Sequence, residues 1–164
     1  MKGQSQHSVK KIVIFASGSG TNTENIIKYF QNSENIQVVA VFSNRRSAKV
    51  LKKAHNLKVK AIHFDHDAFY HSNDMLNILK DIKPDLIVLA GFLWLMPTPI
   101  LKEFHNKVIN IHPALLPKYG GKGMYGMNVH EAVIGNKDSV SGISIHFVNE
   151  KYDEGELIFQ TTTE

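Results

Sequence analysis

Six consecutive residues, Lys11-Ile12-Val13-Ile14-Phe15-Ala16, restrict the possible folds more than any other stretch of the chain. The run is too short for a helix and rich in β-branched side chains. It is apolar at neighbouring positions as well as alternating ones, so a strand built from it buries both faces. Such a strand belongs inside a sheet covered on both sides; Gln37–Ser43 and Val59–Ile62 read as further strands, and the first half of Asp85–Pro97 as another buried one. Helical spacing separates these runs, in Glu24–Phe30, in Ala48–His55 and in the set Met75, Leu76, Leu79 and Ile82, with a short helix over Pro99–His105. The alternation predicts an α/β protein: a three-layer, Rossmann-like, mostly parallel sheet with helices on both faces. No linker, repeat or second apolar nucleus interrupts the 164 residues, so one domain, 1–164, is expected.

Composition excludes several function classes. The chain has no cysteine, which removes disulfides, thiolate metal sites and a cysteine nucleophile, and fits a reducing compartment. The start, Met1–Lys10, is polar without an apolar signal core, and no apolar run approaches the ~20 residues that span a bilayer. A cytoplasmic protein without membrane contact is expected. The net charge of +4 is modest, and the basic helix Ala48–His55 lacks interleaved aromatic residues, which disfavours a nucleic-acid partner. The polar stretch His63–His71 matches neither a helical pair of histidines with an acid nor a calcium loop, and reads as a polar loop leading into a helix rather than as a metal site.

Chemistry concentrates in Val108–Tyr119. Asn110 and His112 are two apart in a short strand, so they share one face while Ile109 and Ile111 take the other. Pro113 ends the strand, leaving an amide and an imidazole side by side at its carboxyl end, the edge where open α/β sheets bind ligands. A hydrogen-bonded pair with no chemical role is the bland reading of the same spacing.

The turn after the first strand, Ser17-Gly18-Ser19-Gly20-Thr21-Asn22, runs into a helix, with Thr21 and Glu24 spaced as a capping box. Unpaired N–H groups at the helix start make this turn a cradle for phosphate. Thr23 stands where a dinucleotide fingerprint carries its third glycine, and Asn44-Arg45-Arg46 rather than an acid ends the second strand, which argues against NAD and leaves NADP open. Phe92-Leu93-Trp94-Leu95-Met96 loads another strand end with large apolar groups suited to a flat heteroaromatic ligand, although on the residues alone ordinary core packing is the stronger account. Gly120–Gly126, with four glycines in seven residues, predicts a mobile loop able to fold over a ligand. A helix over Met127–Ile134 carries His130 on an exposed turn, and a strand over Gly142–Val148 places Ser144 and His146 on one face. The acidic loop Asn149–Glu156 and a last strand, Leu157–Thr163, follow.

Taken in order, Gly18-Ser19-Gly20-Thr21-Asn22, Leu89-Ala90-Gly91-Phe92, Asn110-Ile111-His112-Pro113-Ala114-Leu115-Leu116-Pro117-Lys118-Tyr119 and His146-Phe147-Val148 through Asp153-Glu154-Gly155 resemble the phosphoribosylglycinamide formyltransferases, a branch of the folate-dependent formyltransferases. The resemblance runs from Lys11 to the last residue. It implies a catalytic trio of Asn110, His112 and Asp153, and transfer of a formyl group from 10-formyltetrahydrofolate to the amine of a glycinamide ribonucleotide without a metal. It implies substrate contacts at Gly20, Thr21, Asn22, Thr23, Glu24 and Pro113. The folate pocket falls to Leu93, Trp94, Leu95 and Met96 with Asn110, Val148 and Asp153. Small-molecule substrates are implied as the partners, with monomer and homodimer both open.

The chain departs from the family's pattern at Gly120–Met127, which replaces a histidine-containing loop, and at Trp94, where a basic residue is common. Family chains also continue past the equivalent of Thr163, with elements that include an acid contacting the substrate ribose, so the usual C-terminal elements are expected to be lacking here. Two rivals keep part of the pattern: a formyltetrahydrofolate hydrolase, and a non-catalytic NADP-binding domain built on the glycine turn with Arg45 and Arg46.

Overall fold

A computed structural model describes residues 8–163; of the polar start discussed above, residues 1–7 lie outside them. The described residues form seven strands and six helices in the order β1 (Lys10–Phe15), α1 (Thr21–Phe30), β2 (Ile36–Ser43), α2 (Lys49–Asn56), β3 (Lys60–His63), α3 (His66–Tyr70), α4 (Asp74–Ile82), β4 (Leu86–Ala90), α5 (Thr98–Glu103), β5 (Val108–His112), α6 (Met127–Gly135), β6 (Ser141–Phe147) and β7 (Leu157–Thr163). One sheet takes them all, in the order β3-β2-β1-β4-β5-β6-β7. β1 to β5 are parallel, and β6 and β7 return antiparallel.

Strand parity builds two cores. Val13 and Phe15 of β1 join Phe42, Ile87 and Leu89 on one face, against Phe69, Met75, Leu79 and Ile100 from α3, α4 and α5. Ile12 and Ile14 join Val41, Val88 and Ala90 on the other face, against Ile27 of α1 and Val50 and Ala54 of α2. A run apolar at every position is what a strand covered on both sides requires, and β1 is that strand. Phe15, fully buried, centres an aromatic group with Phe42 at 5.0 Å, Phe92 at 5.4 Å and Phe64 at 5.7 Å between ring centroids.

Two local expectations are corrected. The stretch His63–His71 is not all loop: His66–Tyr70 forms the short helix α3, started by Asp65, whose carboxylate accepts from the Ala68 N–H at 2.9 Å. The capping box at Thr21 and Glu24 does not form. Gly20 takes the cap position in a left-handed conformation, φ +75°, with no side-chain cap bond, so Thr21 already lies inside α1. The Glu24 carboxylate goes instead to Lys28 and Lys53, each at 2.8 Å, and these two hydrogen bonds pull its pKa down to about 2. Glycine is needed at position 20 for a second reason, because a Cβ there would lie 2.4 Å from Val50 Cγ2. α2 thus presses on the turn, and the Val50 N–H donates to the Gly18 carbonyl at 3.1 Å.

The strand order reverses between β1 and β4, whose carboxyl ends are stitched together by Ser17. Its N–H donates to the Gly91 carbonyl at 3.0 Å, while its hydroxyl donates to Asn44 Oδ1 at 2.7 Å and accepts from the Leu93 N–H at 3.0 Å. Such a reversal leaves a crevice above the strand ends, and the candidate site opens there.

Candidate active site

A cleft of about 630 Å³ lies along the carboxyl ends of β1, β4 and β5. It is bordered by Ser19 and Asn22 from the turn before α1, by Leu93–Met96 after β4, by Asn110, His112 and Pro113, by His146 of β6, and by Val148 and Asp153 from the loop that follows. The polar face of β5 and the anion-suited turn therefore open into one space.

β5 and β6 pair antiparallel with Asn110 opposite His146 and His112 opposite Ser144, so four polar side chains occupy one face of two adjacent strands. The loop after β6 is tied at both ends: the Val148 N–H donates to the Val108 carbonyl and the Phe147 N–H to the Glu156 carbonyl, each at 2.9 Å. Within it Asp153 adopts φ +55°, a left-handed conformation that aspartate tolerates better than most residues. Its Oδ1 lies 3.4 Å from His112 Nδ1 and 3.5 Å from His146 Nε2, and accepts from Asn110 Nδ2 at 3.3 Å, while Oδ2 accepts from the Gly121 N–H at 3.0 Å. Burial pushes the Asp153 carboxyl up, but contact with His146, the Gly121 N–H and the potential of the two imidazoles outweigh it and hold the group below the ordinary carboxylate value. The carboxylate is thus ionised and nearly enclosed, with a side-chain exposure of 9%.

Backbone carbonyls set the rings. His112 Nε2 lies 2.7 Å from the Tyr119 carbonyl, an atom that can only accept, so Nε2 carries hydrogen and Nδ1 is left facing Asp153. His146 Nδ1 lies 2.8 Å from the Phe147 carbonyl and carries hydrogen by the same argument, and its Nε2 lies 3.1 Å from Asn110 Nδ2. The Asn110 amide is oriented by that contact, its nitrogen turned towards His146 and Asp153. Tyr119 is fixed in turn, with φ +60°, through its hydroxyl, which donates to Asp138 at 2.5 Å and accepts from Asn136 at 2.9 Å. Below the trio Ser144 is saturated: its hydroxyl donates to the Ala114 carbonyl at 2.6 Å and accepts from the Leu116 N–H at 3.0 Å and from Gln160 at 2.8 Å. It clamps the segment after His112 to β6.

Asn110, His112 and Asp153 meet. Pro113, Leu93, Trp94, Leu95, Met96 and Val148 all border the same cleft. The Leu93–Met96 backbone is held by tyrosines, since Tyr70 donates to the Leu95 carbonyl at 2.8 Å, its phenol pushed up by burial to about 12, and Tyr152 reaches the Leu93 carbonyl at 3.5 Å. In the turn, Thr21 and Asn22 are exposed, but Thr23 is buried at 1% exposure and offers a ligand no surface. Glu24, engaged by two lysines, offers a phosphate no donor. Among the described residues no group of three or more His, Cys, Asp or Glu is placed to hold a metal ion.

Three contributors lay outside the sequence-based set. His146 carries the same polar-apolar-polar signal as Asn110 and His112, but its partner is 36 residues away. Tyr119 and Gly121 act through backbone atoms, which leave no side-chain trace.

The sequence and fold are similar to those of known proteins. Residues 10–164 match the family described as Formyl transferase. A relative from Arabidopsis thaliana, a chloroplastic phosphoribosylglycinamide formyltransferase, is 35% identical over 93% of this chain and 54% of its own length. The Haemophilus influenzae phosphoribosylglycinamide formyltransferase is 32% identical over 93% of this chain and 72% of its own. The solved glycinamide ribonucleotide transformylase 1 from Symbiobacterium toebii superposes with a TM-score of 0.84 at 31% identity, covering 99% of this chain and 78% of that one. The chain spans about half the length of its plant relatives, 54% and 50%. On the match over residues 10–164 and the shared architecture, the chain belongs to the formyl transferase family.

Proposed function

We propose that this chain transfers a formyl group from 10-formyltetrahydrofolate to the amine of phosphoribosylglycinamide. One observation carries the reading: Asp153, brought from a loop 43 residues beyond Asn110, closes on Asn110 and His112 inside a cleft that also reaches the turn before α1. The names of the relatives from Arabidopsis thaliana and Haemophilus influenzae support the same substrates.

The chemistry follows from the groups present. Attack of the amine on the formyl carbon creates a tetrahedral oxyanion, which needs a positioned donor and a proton carrier. Asn110 has two amide hydrogens. Its nitrogen is held 3.1 Å from His146 Nε2 and 3.3 Å from Asp153 Oδ1, which positions the amide as the donor for the oxyanion. His112 is a proton carrier whose charged form Asp153 stabilises at 3.4 Å; as the carbon–nitrogen bond to folate breaks it delivers a proton to the departing nitrogen, and the proton shed by the attacking amine restores its charged form. Leu93–Met96 and Val148 give the pteridine apolar walls and backbone partners. Thr21, Asn22 and the N–H groups of the first turn of α1 receive the phosphate. The residues act as one domain on small molecules, and the lack of cysteine fits work in the cytoplasm.

The test is an assay of the purified chain with 10-formyltetrahydrofolate in the presence and absence of phosphoribosylglycinamide. Deformylation that depends on the amine, with formylated product, is the expected result. Formate release at the same rate without the amine shows a hydrolase. Binding of NADPH with no folate binding overturns the reading in favour of a dinucleotide domain.

A further inference from the structure

We propose that Lys122, at the tip of the glycine-rich loop, is a phosphate-binding residue that closes over the anion held at the start of α1. The proposal rests on the function above and extends it to a residue in the segment where the chain departs from the family pattern. Its first support is electrostatic. Ser19 and Asn22 border the cleft with polar side chains, but the turn itself carries no cation, and Lys28 and Lys53 are both bound to Glu24 of its helix at 2.8 Å. A phosphate dianion seated there meets N–H groups and hydroxyls without a full counter-charge. Arg45, Arg46 and Lys49 do not border the cleft, whereas two lysines do. Of these Lys151 is paired with Glu154 at 3.3 Å, and Lys122 has neither an ion pair nor a hydrogen bond among the described residues.

Its second support is the backbone around Lys122. Gly121 and Gly123 adopt φ +98° and +86°, yet a Cβ added to either would meet nothing within 4 Å. These glycines are required for torsion and not for space, and together they hold the single lysine between them at a turn. Gly121 donates its N–H to Asp153 at 3.0 Å, so Lys122 sits one residue from the catalytic carboxylate. Asp153 is the sole acid among the residues bordering the cleft, and it is already engaged by His112, His146 and Gly121. The Lys122 ammonium is therefore free to pair with an incoming anion, and a lysine is a compact charge suited to phosphate.

The experiment compares the full chain with Lys122→Met, Lys122→Arg and the control Lys49→Met in two measurements. In the first, inorganic phosphate is titrated into each protein without substrates. Lys122→Met is expected to bind it roughly tenfold more weakly, Lys122→Arg to recover most of the affinity, and Lys49→Met to match the wild type. In the second, steady-state kinetics are expected to show KM for phosphoribosylglycinamide rising in Lys122→Met by more than kcat falls, with KM for 10-formyltetrahydrofolate unmoved. Wild-type phosphate affinity in Lys122→Met overturns the proposal, as does an equal loss in Lys49→Met. A chain that binds phosphate through Lys122 and transfers no formyl group keeps the proposal and overturns the assigned reaction.

Discussion

The two sides of the sheet are held by different forces. Around β1, β2 and β4 position is set by close apolar packing: Phe15 and Phe42 are fully buried, and Gly20 lies so near Val50 that no side chain fits between them. Around β5 and β6 position is set by polar contacts between distant segments, with Asn110, His112, His146 and Asp153 joined through one carboxylate, and Ser144 making three hydrogen bonds. Apolar packing is spread over many contacts and loses little when any one weakens. The polar side concentrates its geometry in a few atoms, so small changes there reach the chemistry before they reach the fold.

This contrast is broken most severely by His112→Ala or Asp153→Asn, each expected to lower formyl transfer by orders of magnitude while circular dichroism still shows a folded chain. Near-normal turnover in either variant removes the trio from the mechanism. On the apolar side Phe15→Ala is expected to cost about 3–5 kcal/mol in urea unfolding, because it empties the centre of the aromatic group, with kcat of the molecules still folded close to wild type. A large drop in kcat at full foldedness denies the separation between the two sides. The smallest effect comes from Ser144→Ala, which leaves the buried Leu116 N–H without its acceptor. A loss of about 1–3 kcal/mol is expected, together with slower turnover as the segment after His112 loosens. Stability lost without any change in rate confines Ser144 to a structural part.

Legibility in the sequence followed the same division. Lys11–Ala16 announced a doubly covered strand because burial on two faces demands apolar residues at every position, Gln37–Ser43 read as a further strand, and β1 and β2 lie there. α3 escaped notice because its five residues are too few for a helical period to emerge from so polar a stretch. The Thr21 and Glu24 spacing fitted a capping box, but a left-handed Gly20 moved the helix start and two lysines captured the acid. Asn110 and His112 stood out from their spacing at a strand end, whereas Asp153 was reached through family resemblance, since nothing local to it says that it folds back onto β5. His146 showed its polar signal and lacked only the register that would have named its partner.

That register has a consequence for how the chain can change. Because neighbouring side chains along β6 point to opposite faces, sliding β6 by a single position against β5 would withdraw His146 and Ser144 together and present Ile145 to the carboxylate. Gly142 guards against such a slip, since a methyl group there would stand 2.0 Å from the Thr161 carbonyl oxygen on β7. Insertions or deletions of one residue within Ser141–Phe147 therefore carry an all-or-none penalty. Lineages of this protein should vary that strand by exchanging side chains and not by altering its length.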